Sequence, residues 1–243
     1  MIVCNSKNTL RSFYKFEKFL IRNKQKKIIY NGVDIEWIDK EYMNKEIALQ
    51  KWNLEDRFVI GNIGRLIEQK DQKTIILGMK DIIKKISYAK LVIVGSGRLE
   101  KNLKKLVIEN GLGKYVCFTG ALNRGEVYRL LHCFDVFVMS SLWEGFCNAV
   151  VEAMAAKTPV IVTKVGPLPE VVGDSGIYVS PNDPQVIINA ILELKNNPKM
   201  AKKMGEAARK RVIEKFSIQK TVENYEKLYE QLLKEKNRIL YEH

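Results

Sequence analysis

A chain of 243 residues with 46% hydrophobic content is long enough for one large domain with a buried core. Lys and Arg number 41 against 28 Asp and Glu, a formal charge of +13, which favours anionic partners and says nothing about fold. The cations fall in small groups, such as Lys101, Lys104 and Lys105, with no aromatic-interleaved basic stripe, so nucleic acid is excluded as the expected partner.

The first fifty residues are irregular. Ile2-Val3-Cys4 reads as a short strand, Thr9 to Ile21 as a helix, and Lys27 to Tyr30 as a second strand ending in the turn signal Asn31-Gly32. A βαβ fragment cannot bury both of its faces alone. Residues 1–52 are therefore expected to be the remnant of an N-terminal lobe and its connection, with most of that lobe missing. A separate N-terminal lobe or self-association is the expected partner.

From Phe58 the pattern becomes regular. Strands are expected at Phe58 to Ile63, Leu91 to Val94, Val116 to Phe118, Asp135 to Met139, Val160 to Val162 and Gly176 to Val179. Helices are expected at Asp71 to Ile86, Leu99 to Asn110, Arg124 to Leu131 and Asn148 to Ala156, with a short turn near Leu168 to Val172. The strands are continuous apolar runs rather than alternating ones, as in strands covered on both faces. Strand–helix repetition of this kind predicts an α/β fold with a doubly wound, parallel six-stranded Rossmann-like sheet over residues 53–216. Helices follow at Pro184 to Lys195, Lys199 to Lys215 and Ser217 to about Lys236. The last forms a C-terminal unit, 217–243, whose stripe of Val222, Tyr225, Leu228, Tyr229 and Leu232 needs a packing partner.

Cys4, Cys117, Cys133 and Cys147 show no metal-ligand spacing, and His132 and His243 are the only histidines, so no metal site is expected. Thiols in apolar contexts fit a reducing cytoplasm. No apolar run reaches about 18 residues. The expected location is cytoplasmic, with peripheral contact at the inner face of an anionic membrane as the further expectation.

The chemistry sits in the loops after the strands. Gly64-Arg65-Leu66-Ile67-Glu68-Gln69-Lys70-Asp71 places a guanidinium and an ammonium five positions apart, suited to a pyrophosphate, and Asp71 is placed to cap the next helix. Gly95-Ser96-Gly97 makes a tight turn but lacks the third glycine of a dinucleotide fingerprint, which argues against an NAD-dependent oxidoreductase. The fourth loop carries Ser140, Ser141 and Glu144, and the fifth carries Lys164, Gly166 and Pro167. Glu152 lies about one turn inside the helix that follows Glu144. A helix start offers free N–H groups to a phosphate, and carboxylates near it suit the hydroxyls of the same ligand.

Four blocks carry a family resemblance: Tyr30-Asn31-Gly32-Val33-Asp34; Gly64-Arg65-Leu66 with Lys70-Asp71; Val94-Gly95-Ser96-Gly97; and Glu144-Gly145-Phe146 through Glu152-Ala153-Met154-Ala155, continued by Thr158 to Ile161 and Gly166 to Glu170. The chain resembles the C-terminal lobe of a GT-B-fold retaining glycosyltransferase of glycosyltransferase family 4. The resemblance implies transfer of a sugar, with retention, from a nucleotide-sugar donor, UDP-linked for preference, to a saccharide or lipid-linked acceptor in cell-surface polysaccharide or glycolipid synthesis. It implies that Arg65 and Lys70 contact the diphosphate, that Glu152 accepts the ribose hydroxyls and that Glu144 lies at the sugar. Glu144, Arg65 and Lys70 are the implied catalytic set. Gly64, Gly95 and Gly145 are implied to line the donor, the backbone amides of Phe146, Cys147, Asn148, Ala149 and Val150 to hold its sugar and phosphate, and Thr119 and Gly120 to lie near the base. It implies no cofactor and no divalent metal. Two positions depart from the family pattern: Val165-Gly166-Pro167 carries a single glycine, and Cys147 stands where smaller residues are common. The alternatives are a non-catalytic lobe that binds nucleotide sugar and needs a separate N-terminal lobe, and a sugar epimerase on the same fold.

Overall fold

The computed structural model describes residues 1–12, 17, 22 and 24–241. The chain opens with β1 (Ile2–Cys4), α1 (Lys7–Arg11) and β2 (Lys26–Ile28), then α2 (Ile35–Tyr42) and α3 (Lys45–Lys51). The regular part follows as β3 (Phe58–Ile63), α4 (Gln72–Lys85), β4 (Ala89–Val94), α5 (Glu100–Glu109), β5 (Val116–Gly120) and α6 (Arg124–Leu131). It continues with β6 (Val136–Met139), α7 (Asn148–Ala155), β7 (Val160–Thr163), α8 (Leu168–Val172) and β8 (Ile177–Val179). Three helices close the chain: α9 (Pro184–Asn196), α10 (Pro198–Lys215) and α11 (Ile218–Tyr241).

β3 to β8 form one parallel six-stranded sheet in the order β5-β4-β3-β6-β7-β8. The chain starts in the middle, winds outward to β5, then returns to β6 beside β3, where Ile60 pairs with Val136 and Gly61 with Phe137. That reversal opens a crevice at the carboxyl ends of β3 and β6, the place where open α/β sheets bind ligands.

Both faces of the sheet are covered, which is why its strands read as unbroken apolar runs. Ile60, Leu91 and Ile93 pack with Ile75, Ile76 and Met79 of α4 and Ile187 and Ile191 of α9. Val59, Val92, Phe137 and Met139 pack on the other face with Leu130 of α6, Val150 and Met154 of α7, and Val212 of α10. Each fully buried aliphatic side chain of this kind contributes about 1.5–3 kcal/mol of transfer free energy. Two caps fix helix starts beside the sheet. Asn123 and Glu126 form a reciprocal capping box on α6, and Asp183 accepts from Gln185 N–H at 3.0 Å ahead of Pro184.

The strand expectations hold within two residues at each end. Two helices, α2 and α3, were not anticipated. Asp34 Oδ1 accepts from Trp37 N–H at 2.9 Å to start α2, and Ile38 and Ala48 are buried in the same core as Val59. The N-terminal segment forms a two-stranded parallel ribbon, with Val3 opposite Lys27. α1 covers the start of the helix expected at Thr9 to Ile21, and most of the remaining span lies outside the described residues. α11 runs five residues further than expected, to Tyr241. Of its apolar stripe, Leu228 is buried, while Val222 and Tyr229 are 48% and 58% exposed. Among the described residues no helix is long and apolar enough to cross a membrane.

Candidate active site

The crevice is built from two loops. After β3, the chain turns through Gly64 and Arg65 and makes a single 3-10 turn, Glu68–Lys70, before α4. After β6, Ser140 to Cys147 descends to the start of α7. Backbone and side-chain bonds tie the loops together. Leu142 N–H donates to the Gln69 carbonyl at 2.8 Å, and Gln69 Nε2 donates to the Trp143 carbonyl at 2.9 Å. Ser140 Oγ reaches the Lys70 and Asp71 carbonyls at 2.9 and 2.8 Å, and Thr163 Oγ1 donates to the Ser141 carbonyl at 2.6 Å.

This scaffold sets Lys70 Nζ 2.5 Å from Glu144 Oε1, a pair with side chains only 12% and 3% exposed. Ser141 Oγ donates to the same carboxylate oxygen at 2.6 Å. Two donors on one oxygen fix the carboxylate's orientation. Arg65 stands at the rim, exposed, and its guanidinium has no ion-pair partner among the described residues. A cavity of about 470 Å³ runs between Gly64, Arg65, Lys70, Glu144, Phe146 and Asn148. α7 begins at the cavity wall without a side-chain cap, so its first N–H groups and the positive end of its dipole are open to an anion. Burial, with Glu144 nearby, pushes the Cys147 thiol up to about 12, so it is a neutral wall and not a nucleophile.

Two glycines allow the loops this close. Gly95 has φ +130°, and a Cβ there would stand 2.1 Å from the Gly64 carbonyl oxygen. Gly166 has φ +53°, and its Cβ would stand 2.6 Å from the Glu144 carbonyl oxygen. Both would collide with backbone of the cavity rim, at φ values that disfavour any side chain.

Of the residues predicted from sequence, Gly64, Arg65, Lys70, Glu144, Gly145, Phe146, Cys147, Asn148 and Ala149 line this one cavity. Val150 is not in the lining, since its side chain is fully buried in the core behind α7; the expectation for it concerns its N–H, which is among the first of that helix. Gly95, Thr119 and Gly120 lie outside the lining, where Gly95 N–H donates to the Gly120 carbonyl at 2.9 Å and so pins the neighbouring loop. Glu152 also lies outside the lining, a turn along α7 in front of α6, half-buried. Burial raises its carboxyl above the usual range, while Arg124 and Tyr128 pull the other way. The Tyr128 phenol is itself pushed up to about 12, first by burial and then by Glu152. Asp71 is a correction to the expected helix cap. It sits at the N-cap with φ +43°, and its side chain bonds the Thr74 hydroxyl at 2.6 Å instead of the helix N–H groups. Gln72 and Thr163 were missed. Gln72 Nε2 donates to the Arg65 carbonyl at 3.1 Å, and the Gln72 and Thr163 side chains are both buried. Thr163 closes the apolar run Val160-Ile161-Val162, a signal the sequence does carry, whereas Gln72 stands among charged residues and gives none.

A larger cavity, about 540 Å³ around His132 and Arg209, lies at the amino ends of β6 and β7, away from the ligand-binding edge of such a sheet. Among the described residues no group of three or more His, Cys, Asp or Glu is placed to hold a metal ion.

Residues 44–211 match the family model described as glycosyl transferases group 1. The chain belongs to that family. A relative in Methanocaldococcus jannaschii, the uncharacterized glycosyltransferase MJ1607, is 33% identical over 200 residues, 79% of this chain and 50% of the relative. The capsular polysaccharide biosynthesis glycosyltransferase CapM of Staphylococcus aureus is 32% identical over 216 residues, 84% of this chain and 54% of CapM. The chain thus spans about half the length of these relatives. In structure it is similar to Anabaena HepE in complex with UDP, with a TM-score of 0.80 at 22% identity, covering 95% of this chain and 64% of HepE. The six-stranded parallel sheet flanked by helices is the architecture of these GT-B glycosyltransferase structures.

Proposed function

We propose that this group 1 family chain is the C-terminal, donor-binding lobe of a retaining glycosyltransferase of family 4. It takes a nucleotide sugar, UDP-linked for preference, in the crevice between the loops after β3 and β6. The observation that carries the reading is the convergence of Lys70, Glu144 and the uncapped start of α7 on one cavity, with Arg65 at its rim. The UDP complex of HepE supports the choice of nucleotide by similarity.

In this reading Arg65, Lys70 and the α7 N–H groups hold the diphosphate, Glu152 faces the ribose, and Glu144 faces the sugar. As the bond from the sugar to the β-phosphate breaks, negative charge grows on the leaving diphosphate. Fixed cations and N–H groups stabilise that charge more than the ground state, without a metal. Lys70 has a double duty. Its present partner is Glu144, so the incoming phosphate competes with the carboxylate for one ammonium and leaves Glu144 freer to face the sugar.

Acceptors of cell-surface polysaccharide or glycolipid type fit the chain's net positive charge and the name of CapM. A second reading, a lobe that binds donor and transfers only with a further lobe, is favoured by the chain's coverage of about half of each relative. Incubation with UDP-glucose, read by proton NMR of the released or transferred sugar, tests the reading. An α-anomeric first product supports retention, and a β-anomeric one contradicts it. Donor binding without any product supports the second reading.

A further inference from the structure

A second cavity, of about 420 Å³, adjoins the sugar end of the donor crevice. Its walls carry Lys7, Arg11, Tyr30, Glu170, Arg211 and Lys215. It shares Gly166 with the rim of the crevice, where that glycine abuts the Glu144 backbone. Ser6 Oγ and Thr9 Oγ1 both donate to the Gly145 carbonyl, at 3.3 and 3.2 Å, and the Tyr30 ring stacks on Phe146 with centroids 6.4 Å apart. The two cavities are therefore separated by the thickness of one loop.

Four cations face one carboxylate here, and the fold accounts for only part of that charge. Glu170 is already engaged by the Lys7 N–H at 3.1 Å and the Tyr30 hydroxyl at 2.6 Å. Arg211 is spent largely on backbone, donating to the Val171 and Glu170 carbonyls at 2.7 and 2.8 Å at the end of α8. The side chains of Lys7, Arg11 and Lys215 have no ion-pair partner among the described residues. Three unpaired cations around one concavity repel each other, and the field they make is focused into it.

We propose that this cavity binds a phosphoryl group carried by the acceptor, next to the sugar held at Glu144. A phosphate monoester near −1.5 to −2 at neutral pH balances the excess better than a carboxylate would. The inference rests on the donor reading for its role, but not for its test.

Inorganic phosphate is titrated into the chain with and without saturating UDP, followed by phosphorus NMR or calorimetry, with acetate as the weaker anion. Lys215→Ser and Arg11→Ser are compared with Lys101→Ser, an exposed cation on α5. The expected result is a phosphate site that persists under saturating UDP, prefers phosphate to acetate, and weakens about tenfold or more in the two cavity variants only. Restoration of binding in Lys215→Arg supports the site further. Phosphate displaced one for one by UDP, or equal losses in Lys101→Ser, overturns the proposal. Phosphate binding that follows the variants in a chain unable to bind UDP keeps this site and removes the donor reading.

Discussion

Replacing Lys70 by Met leaves the Glu144 carboxylate, 3% exposed, with Ser141 Oγ as its remaining hydrogen-bond partner. Removing one member of a buried ion pair costs about 3–5 kcal/mol, because the surviving charge has lost both water and counter-ion. Glu144→Gln is the milder change. The amide can still accept from Ser141, and Lys70 lines an open cavity that water enters, so a cost of about 1–3 kcal/mol is expected. The double variant removes both charges, and its loss is expected to fall short of the sum of the single losses by about 1–3 kcal/mol. Domains of this kind are stable by about 5–15 kcal/mol, so all three differences are measurable by urea unfolding with m-values compared. Additivity within about 0.5 kcal/mol would refute the coupling. A Lys70→Met variant milder than Glu144→Gln would refute the argument from burial.

Burial raises the Glu152 carboxyl above its usual range, so the native chain holds that proton more tightly than the unfolded one. Its contribution to stability is full below the unfolded pKa, about 4.3, and is lost as pH rises through the folded value. Glu152→Gln is therefore expected to melt above the parent at neutral pH and level with it near pH 4, roughly the unfolded value; a parent that gains on the variant as pH rises reverses the sign. Gly95→Ala drives a Cβ towards the Gly64 carbonyl at a φ suited to glycine, and about 1–3 kcal/mol of stability and part of the UDP affinity should go with it; an unchanged melting temperature contradicts this. Arg65→Ala is expected to fold normally and to lose about 100- to 1000-fold in kcat with the natural donor, the scale of a lost transition-state donor. Full turnover by both Arg65→Ala and Lys70→Ala removes their assigned role.

The sheet was legible because strands buried on both faces must be apolar throughout, and no other element here shows short β-branched runs at that spacing. The strand order was not legible, since periodicity carries no pairing information, yet it is the return of β6 beside β3 that creates the crevice. α2 and α3 escaped because each is short, the break at Met43-Asn44 interrupts their period, and charged residues dominate their outer faces. The site was read largely through loop residues at strand ends, and nine of them do meet. Val150 shows the limit of that reasoning: at a helix start, adjacent residues point in different directions, and Asn148 and Ala149 face the cavity while the Val150 side chain faces the core. The Lys70–Glu144 pair was invisible because the two residues are 74 positions apart and belong to different loops.

Calorimetric titration of the chain with UDP, GDP and ADP, beside Glu152→Ala, tests the donor site most directly. The account predicts saturable binding of one nucleoside diphosphate, UDP before the others, with binding lost or strongly weakened in the variant. No binding of any of the three to the parent, or binding that Glu152→Ala leaves intact, contradicts it.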